Sequence, residues 1–209
     1  MVQSGKIGSL MYIRAAYGHG GRPGYDQEWR ADADLAGGGE LLDQGVHIVD
    51  LCRWFLGDFV QVIGMLGTWF WQMAPLEDNG FALLRAAGGQ VATLHTSWTQ
   101  WKNLFRMEIF GKDGYLLIEG LGGSYGTETL TIGIRRLESG PPIVESQEFP
   151  GPDISWRAEW EEFKAAIQEG RQPLGNGHDG YQAARTIDAI YESARTGKVV
   201  DISLAVADK

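Results

Sequence analysis

The chain has 209 residues, 44% hydrophobic and 22% charged, so it is long enough to bury a sizeable core as a globular domain. Its formal net charge of -9 disfavours a nucleic-acid partner and an anionic membrane surface, because both need a basic patch. The lone cysteine, Cys52, excludes a disulfide within the chain, and the sequence has neither a membrane-length apolar run nor a secretory leader pattern. These features predict a soluble protein of the reducing cytoplasm, with no membrane partner.

The first predicted elements are a strand and a glycine-rich loop. Residues 7–17 mix apolar and β-branched side chains and predict a strand. Residues 18–25 contain too many glycines and prolines for regular structure, yet they include His19 and Arg22. Because loops on a rigid scaffold often carry function, we expect His19 and Arg22 to contact a ligand. A solvated connection is the alternative.

A triple glycine at residues 37–39 precedes the most informative stretch. The run from Glu40 to Leu56 predicts a mostly buried helix that ends at Gly57. At about 100° per residue, one side of this helix is broadly apolar and the other is a narrow stripe. The stripe holds Asp43, His47, Asp50 and Trp54.

Asp43 and His47 on this stripe are the candidate catalytic residues. A carboxylate one turn before an imidazole can hydrogen-bond it and fix its tautomer, as a general base near neutral pH requires. Such a pair also occurs as an ordinary surface or capping pair, and this alternative stays open. So does a metal site, since Asp43, His47 and Asp50 offer suitable ligand types. The usual zinc spacings with several cysteines or histidines are absent, so no metal ligand is assigned.

The segments after this helix predict a large sheet. Strands are expected at residues 59–71, 80–87, 90–99, 105–110, 115–119, 129–135 and 143–149. Short hairpin connections between the four strands from residue 80 to residue 119 predict an antiparallel meander. A bulge is expected in the strand at residues 59–71, at Gly64 or Gly67. The whole sheet then has seven or eight strands. His95 lies on one of them, where a hydrogen-bonded sheet histidine is favoured over a ligand.

The last part of the chain predicts two helices. Residues 154–169 form an amphipathic helix with Ser155 as N-cap and an aromatic stripe expected in the core. Residues 181–195 form the other, and His178 lies in the surface turn before it. The fold class is therefore α+β, a large, mostly antiparallel open-faced sheet with helices packed on one face. Eight tryptophans exceed the needs of one covered face, so the other face is expected to pack against another subunit.

The pattern Gly37-Gly38-Gly39-x-Leu41-x-Asp43-x-Gly45-x-His47-x-x-Asp50 closely resembles a signature in the second domain of the glucose-fructose oxidoreductase, inositol dehydrogenase and rhizopine-catabolism (Gfo/Idh/MocA) family. The likeness extends to residues 5–8, 109–114 and 179–198. It implies that residues 1–209 form a single C-terminal domain for substrate binding and oligomerisation. In this family a dinucleotide-binding Rossmann domain comes first.

Two parts of the family pattern are missing from this chain. No G-x-G-x-x-G follows a strand and opens a helix, and no Glu-Lys-Pro, the family's source of a lysine beside the Asp and His, occurs. The resemblance therefore implies the substrate-binding half of an NAD(P)-dependent oxidoreductase, inactive without its Rossmann domain. NAD or NADP would bind the full-length enzyme, and no cofactor-binding residue is assigned here.

The resemblance also implies roles for the site residues. His47 would take the hydroxyl proton of a sugar or polyol, Asp43 would hold His47 and contact the substrate, and Asp50 would be structural. His19 and Arg22 join Asp43 and His47 as predicted substrate-binding residues. Members of this family commonly associate through the sheet, and the resemblance therefore implies that this protein forms a homodimer or tetramer. Two rival functions remain open: a stand-alone carbohydrate-binding or oligomerising module of the same fold, and a metal-dependent isomerase or hydrolase.

Overall fold

A computed structural model describes residues 1–202 and shows a nine-stranded mixed sheet. The strands, in chain order, are β1 Leu10–Gly18, β2 Phe59–Gly67, β3 Asn79–Ala86, β4 Val91–Ser97, β5 Leu104–Gly111, β6 Gly114–Glu119, β7 Glu128–Ile134, β8 Ile143–Phe149 and β9 Val200–Asp201. Across the sheet they lie in the order β8-β7-β6-β5-β1-β4-β3-β2-β9. Eight of these are the strands that the sequence predicted, and the two-residue β9 adds an edge.

The first strand lies inside the sheet rather than at its edge. It runs parallel to β4, with Gly18 opposite Ser97, and antiparallel to β5. The predicted meander is therefore wrong between β4 and β5, which are separated by β1 and do not form a hairpin. Local turn patterns favour pairing between neighbours in sequence and carry no signal for a strand inserted from far away. All other neighbours in the sheet are antiparallel, as expected.

Two strands differ from their predicted bounds for backbone reasons. β1 begins after residue 7 because Gly5 and Gly8 have φ values of 72° and 73°, which close tight turns. β2 ends at Gly67 because the Asp78 carboxylate accepts the N–H groups of residues 69–71, the shortest bond being 2.8 Å. Because these three N–H groups donate to one carboxylate, the backbone turns there and they form no hydrogen bonds with a neighbouring strand.

The predicted bulge at Gly64 or Gly67 is wrong. The irregularity in β2 lies between Phe59 and Gln61. At Gly64 the sheet approaches a helix so closely that a Cβ would lie 2.5 Å from Ile190 Cγ2. The glycine is needed there for packing rather than for a bulge.

The helices are α1 Ala33–Ala36, α2 Val46–Leu56, α3 Ser155–Glu169 and α4 Gly177–Thr196, with a π-turn at Leu41–Gly45 directly before α2. Of these, α2 and α4 cover one face of the sheet. α2 and α4 pack together and α4 lies on β2. The main core contains Ile48 and Cys52 of α2 and Ile187 of α4, all fully buried. The predicted open-faced architecture is confirmed.

The opposite face of the sheet, here called the open face, carries exposed side chains. Phe81 is 39% exposed, Leu83 46% and Met65 71%. His95 stacks on Phe81 with ring centroids 4.1 Å apart, and its Nε2 lies 3.2 Å from Asn79 Oδ1, which confirms the hydrogen-bonded sheet histidine. A charged row formed by Arg14, Arg106, Glu108 and Glu119 continues this face across β1, β5 and β6.

The two last helices differ from prediction at their starts. α4 begins at Gly177 because Asn176 and Asp179 form a capping box, so the expected turn is the first helical turn. His178 in that turn is exposed, as predicted. Ser155 is the first residue of α3 rather than its N-cap, and its N–H donates to Asp153 Oδ1 at 2.8 Å.

The aromatic stripe of α3 is not in the core, contrary to prediction. Trp156 is 80% exposed and Trp160 60%, and Ala166 is the buried residue of this helix. Amphipathic spacing shows that a helix has an apolar side but not what that side meets. None of the helices in the described residues has both the length and the apolar character needed to cross a bilayer.

Candidate functional site

A cleft lies where the carboxyl ends of the parallel strands β1 and β4 reach the same edge of the sheet. Gly18 is opposite Ser97, and the chain continues with a bond from the His19 N–H to the Ser97 carbonyl oxygen at 2.9 Å. The cleft holds about 260 Å³ and is lined by residues that include Trp29, Arg30, Asp43, Val46, His47 and Trp98. Crevices outside the carboxyl ends of parallel strands commonly bind ligands.

The triple glycine shapes the floor of this region through close packing. Only Gly37 has a positive φ, 73°, where it ends α1. A Cβ at Gly38 would lie 2.6 Å from the Tyr191 hydroxyl, and one at Gly39 would collide with the Glu77 carbonyl oxygen. The backbone freedom of glycine is therefore required at Gly37 alone, and the absence of a side chain is required at Gly38 and Gly39.

Glu77 occupies the start of the helix that follows the glycines. Its Oε1 accepts the Leu41 N–H at 2.9 Å and the Tyr191 O–H at 2.8 Å, and its carbonyl oxygen accepts the Glu40 N–H at 3.0 Å. Helix N-termini bind anions through such free N–H groups. Here a carboxylate of the protein already fills that position.

The predicted helix is present, but its first turn is the π-turn at Leu41–Gly45. A π-turn bonds residues five apart instead of four, so a spacing of about 100° per residue does not hold through it. Asp43 and His47 still line the same cleft. Within residues 1–202 no hydrogen bond joins them, and Asp43 Oδ2 instead lies 3.4 Å from Arg30 Nε.

His19 lies close to this carboxylate on the loop after β1. Its Nδ1 accepts the Gly21 N–H at 3.0 Å, which assigns the proton of the neutral ring to Nε2. Burial lowers the pKa of His19, and Arg30 adds to this while Asp43 opposes it. The ring is therefore a neutral N–H donor, near enough to Asp43 to respond to its charge but not among the side chains that line the cleft.

Arg22, the other residue predicted in this loop, has a different setting. Its guanidinium forms an ion pair with Glu28 at 2.7 Å, and its side chain is 68% exposed. It also lies over the Tyr25 ring, 5.8 Å from the centroid. These contacts brace the loop, and a substrate contact for Arg22 stays a prediction.

Tyr25 anchors the loop and was not assigned to the site from the sequence. Its ring is 4% exposed and contacts the rings of His19, Trp71 and Trp98 at centroid distances of 5.2 to 5.7 Å. Burial first, and then the charge of Asp43, raise the pKa of its hydroxyl. The presence of a tyrosine among the small residues of the loop was its only signal.

Glu40 is the second residue that the sequence did not assign. It is fully buried, and neither carboxyl oxygen has a hydrogen-bond partner among the described residues. Burial raises its pKa well above the ordinary value, the charges of Asp43 and Glu77 add to the rise, and the nearby backbone of Ser97 opposes it without meeting the geometry of a hydrogen bond. Its neutral form is therefore favoured next to the cleft. The Trp98 indole N–H, at the cleft wall, also lacks a partner within residues 1–202.

Asp50, the last residue of the motif, lies near the contact between α2 and α4. There Arg53 binds Asp58 and Asp179, each at 2.6 Å. Burial raises the pKa of Asp50, and the charge of Asp179 adds to it while Arg53 opposes it. In the described part of the chain, no group of three or more His, Cys, Asp or Glu side chains has a geometry that could hold a metal.

One G-x-G-x-x-G spacing occurs, at Gly175, Gly177 and Gly180, and it opens α4. It follows a loop after α3 rather than a strand. The side chain of Asn176 accepts the first free N–H groups of α4, and Asp179 adds a negative charge to that turn. The segment therefore lacks the free donors of a dinucleotide cradle.

Comparisons with known proteins agree with this fold. Levoglucosan dehydrogenase of Pseudarthrobacter phenanthrenivorans is 26% identical over an alignment of 241 positions. The alignment covers 96% of this chain and 62% of that protein. D-xylose 1-dehydrogenase (NADP(+)) 2 of Haloferax volcanii is 29% identical over 174 residues, which cover 83% of this chain and 50% of that protein. The chain thus spans about half to three fifths of the length of these relatives.

Solved structures show the same architecture. The aldose-aldose oxidoreductase from Caulobacter crescentus, complexed with glycerol, superposes with a TM-score of 0.81 at 26% identity, covering 96% of this chain and 58% of its own. A levoglucosan dehydrogenase in complex with NADH and levoglucosan gives a TM-score of 0.82 at 22% identity, covering 97% and 61%.

The family model described as GFO/IDH/MocA C-terminal domain matches residues 1–117, more than half of the 209-residue chain. The matched residues include the motif with Asp43 and His47 and the strand β1, which lies parallel to β4. The open-faced sheet begins in the matched residues and continues beyond them. The chain therefore belongs to the Gfo/Idh/MocA family and carries its C-terminal domain.

Proposed function

We propose that residues 1–209 form the substrate-binding domain of an NAD(P)-dependent oxidoreductase that acts on a CH–OH group of a sugar or polyol. The observation that carries this proposal is the convergence of Asp43, His47 and Arg30 on one cleft at the carboxyl ends of β1 and β4. The relatives support the substrate class, since their names include levoglucosan dehydrogenase and D-xylose 1-dehydrogenase.

In this proposal the cleft side chains divide the work of holding and deprotonating a hydroxyl group. His47, exposed at the cleft, takes the proton from the hydroxyl oxygen of the carbon that is oxidised. Asp43, held by Arg30, accepts a hydrogen bond from the substrate. The Nε2–H of His19 is a donor for a second substrate oxygen. Arg22 is proposed as a further contact at the outer part of the loop.

The oxidation also needs a hydride acceptor, and the described residues do not fit one. Glu77 fills the helix start after the triple glycine, and Asn176 and Asp179 fill the start of α4. We propose that NAD or NADP is held by a second domain, as in full-length members of the family. No step through the cofactor is derived from this chain.

The open face of the sheet is proposed as the contact between copies of the protein, giving a homodimer or tetramer. Phe81, Leu83 and Met65 expose apolar area there. The adjoining row of Arg14, Glu108, Arg106 and Glu119 alternates in charge, which suits pairing with a second copy about a two-fold axis. A cytoplasmic location remains part of the proposal.

A chimaera tests the proposed reaction. The part of the Pseudarthrobacter levoglucosan dehydrogenase that this chain does not cover would be fused to residues 1–209, and NAD(P)H formation would be measured with a panel of sugars and polyols. Turnover of at least one of them is expected. Binding of a sugar to the chain without turnover in a folded, NAD-binding chimaera would favour the stand-alone binding module instead.

A further inference from the structure

Three aromatic residues follow β2 in a turn of fixed shape. The fully buried Asp78 accepts, through its carboxylate, the N–H groups of Trp69, Phe70 and Trp71, and the shortest of these bonds is 2.8 Å. Burial alone would raise the pKa of Asp78, but the bonds lower it below its ordinary value, so the carboxylate that makes them stays ionised. The fold therefore sets the positions of the three rings.

This turn is joined to the wall of the cleft and to the loop after β1. Trp71 Nε1 donates to the carbonyl oxygen of Trp98, a residue that lines the cleft, at 2.9 Å. A Cβ at Gly21 would lie 2.6 Å from Trp71 Cζ2, and one at Gly20 would lie 3.2 Å from Cε3 of Trp101, in the loop after β4. The two glycines thus allow aromatic rings to pack directly on the loop that borders the cleft.

Phe70 and Trp101 form an exposed aromatic corner at this edge of the sheet, here called the aromatic rim. Their ring centroids lie 4.8 Å apart with planes at 75°, the edge-to-face arrangement that aromatic pairs prefer. Phe70 is 58% exposed and Trp101 67%, although the turn that carries Phe70 is fixed. Trp69, also 67% exposed, is assigned to the open face because its ring contacts Phe81 there. Contiguous exposed apolar groups on a fixed frame mark a binding surface.

The charges around the rim favour a neutral ligand. Residues 68–78 and 98–104 contain two acidic residues, Glu77 and Asp78, and a single cation, Lys102. A diphosphate needs several cations or free N–H groups, and Asp78 already takes those of the turn. A pyranose ring instead has an apolar face of C–H bonds, whose partial positive charge suits the negative face of an aromatic ring. The rim therefore fits a sugar ring better than a nucleotide.

The size of the cleft explains why a sugar ring would bind outside it. Pockets for drug-sized ligands hold roughly 300 to 1,000 Å³. The cleft, with about 260 Å³, is sized for one small ring. In a larger saccharide, a second ring lies beyond the cleft, and the rim is bonded to the cleft wall through Trp71 and Trp98.

We propose that Phe70 and Trp101 stack on the second ring of a disaccharide whose first ring occupies the cleft. The inference rests on the proposed function for the class of ligand, a sugar, and adds that the preferred ligand has two rings. Phe70 and Trp101 are then residues that determine specificity for the length of the saccharide. They take no part in proton transfer.

Sugar binding by the full chain tests the proposal. Calorimetry, or ligand-observed NMR where affinity is weak, compares glucose, galactose and xylose with disaccharides that contain them in different linkages. At least one disaccharide is expected to bind about 5-fold more tightly than its monosaccharide, as one aromatic stacking contact allows. Trp101→Gln and Phe70→Leu, both at exposed positions, should each reduce this ratio to less than about 2-fold and leave monosaccharide affinity unchanged.

Two control variants locate the effect. Trp69→Gln removes a ring as exposed as Trp101 from the same edge and should preserve the ratio. Asp43→Asn should weaken monosaccharide and disaccharide by the same factor, because it changes the cleft and not the rim. A ratio that survives Trp101→Gln would overturn the proposal. So would a lower mass of Trp101→Gln by light scattering, since the ring would then be covered by a second copy.

The outcomes also separate this proposal from the proposed function. Monosaccharide binding without any preference for a disaccharide would overturn the role of the rim and leave the proposed reaction standing. A preference that depends on Trp101, together with a folded chimaera that turns over no sugar, would support the rim and contradict the reaction. If the chain bound no sugar at all, the class of ligand would be wrong and the rim proposal would fall with it.

Discussion

Arg30 Nε and Asp43 Oδ2 lie 3.4 Å apart, and this ion pair joins the loop after β1 to the π-turn before α2. The Arg30 side chain is 35% exposed and that of Asp43 29%, so solvent screens the pair and its contribution to stability is at most about 1 kcal/mol. The main effect of the pair is on the orientation of the Asp43 carboxylate. The carboxylate points toward Arg30 in the cleft and is not hydrogen-bonded to His47.

Replacing Arg30 therefore distinguishes its effect on the orientation of Asp43 from its effect on the stability of the fold. In a full-length version with a cofactor domain, Arg30→Gln is expected to lower kcat/KM by about 10-fold, because Asp43 loses its fixed orientation. The free energy of unfolding should change by less than about 1 kcal/mol. Arg135→Gln, which breaks the exposed pair with Asp113, is the control and should leave kcat/KM unchanged. Equal kinetics for the two variants would remove Arg30 from the site.

His47 and His178 provide a second matched pair, since both are exposed residues in the first turns of their helices. In the full-length version, His47→Ala should lower turnover by roughly 100-fold, as loss of a general base does. His178→Ala should leave turnover as it is. Steady-state kinetics on folded variants measure both, and an unchanged rate for His47→Ala would move the proton transfer to another group.

Glu40 predicts an unusual dependence of stability on pH. The folded state raises its pKa above the ordinary value of 4.5, so between the two values the unfolded chain binds fewer protons than the folded one. Stability contributed by the neutral carboxyl is then full below about pH 4.5 and is lost as pH rises toward the folded-state pKa. Glu40→Gln preserves the shape of the side chain but removes its ionisable group. We expect it to be more stable than wild type near neutral pH, with the difference shrinking toward the acidic end.

Urea unfolding across this pH range measures the effect, and Glu77→Gln is its control. The pKa of Glu77 is also raised by burial, but its carboxylate accepts bonds from the Leu41 N–H and the Tyr191 O–H. Its replacement should therefore destabilise the fold instead of stabilising it. A Glu40→Gln variant that is less stable than wild type near neutral pH would show that the ionised carboxylate has a partner.

The chain alone is expected to bind neither NAD+ nor NADP+. The two helix starts that follow glycine-rich segments have their N–H groups taken by Glu77 and by Asn176, and both starts carry negative charge. Calorimetry with each dinucleotide is the direct measurement. Micromolar affinity for either one would mean that a cofactor site exists in this domain.

The open face predicts self-association. Soluble monomers seldom expose more than a few hundred Å² of contiguous apolar surface, and a second copy is the commonest cover. Gel filtration with light scattering should give a dimer or tetramer at micromolar concentration. Leu83→Lys should shift it toward monomer, while Leu137→Lys, at a position 81% exposed away from the strands, should not. A wild-type chain of monomer mass would contradict the proposal.

The sequence predicted eight strands and the two long helices of the core because hydrophobic periodicity is local and strong there. It placed Asp43 and His47 on one stripe of the helix for the same reason. It did not predict their separation, because a π-turn cannot be read from spacing. Arg30 reaches the cleft from a loop with no periodic relation to the helix, and Tyr25 of the same loop packs against the ring of Trp98. Glu40 is an acidic residue in an apolar run, and only the packed structure shows that its carboxyl group is fully buried.

The position of β1 also sets an order of events. Its neighbours in the sheet begin with Tyr12 opposite Val91 and Leu10 opposite Gly111, so its partners lie about 80 to 100 residues further along the chain. During synthesis from the N-terminus, this strand exists long before anything can pair with either of its edges. The strand that carries the cleft's first loop therefore waits through about 80 further residues of synthesis before it gains its first ladder hydrogen bonds. Until then, its unpaired edges are the part of the nascent chain most open to wrong partners.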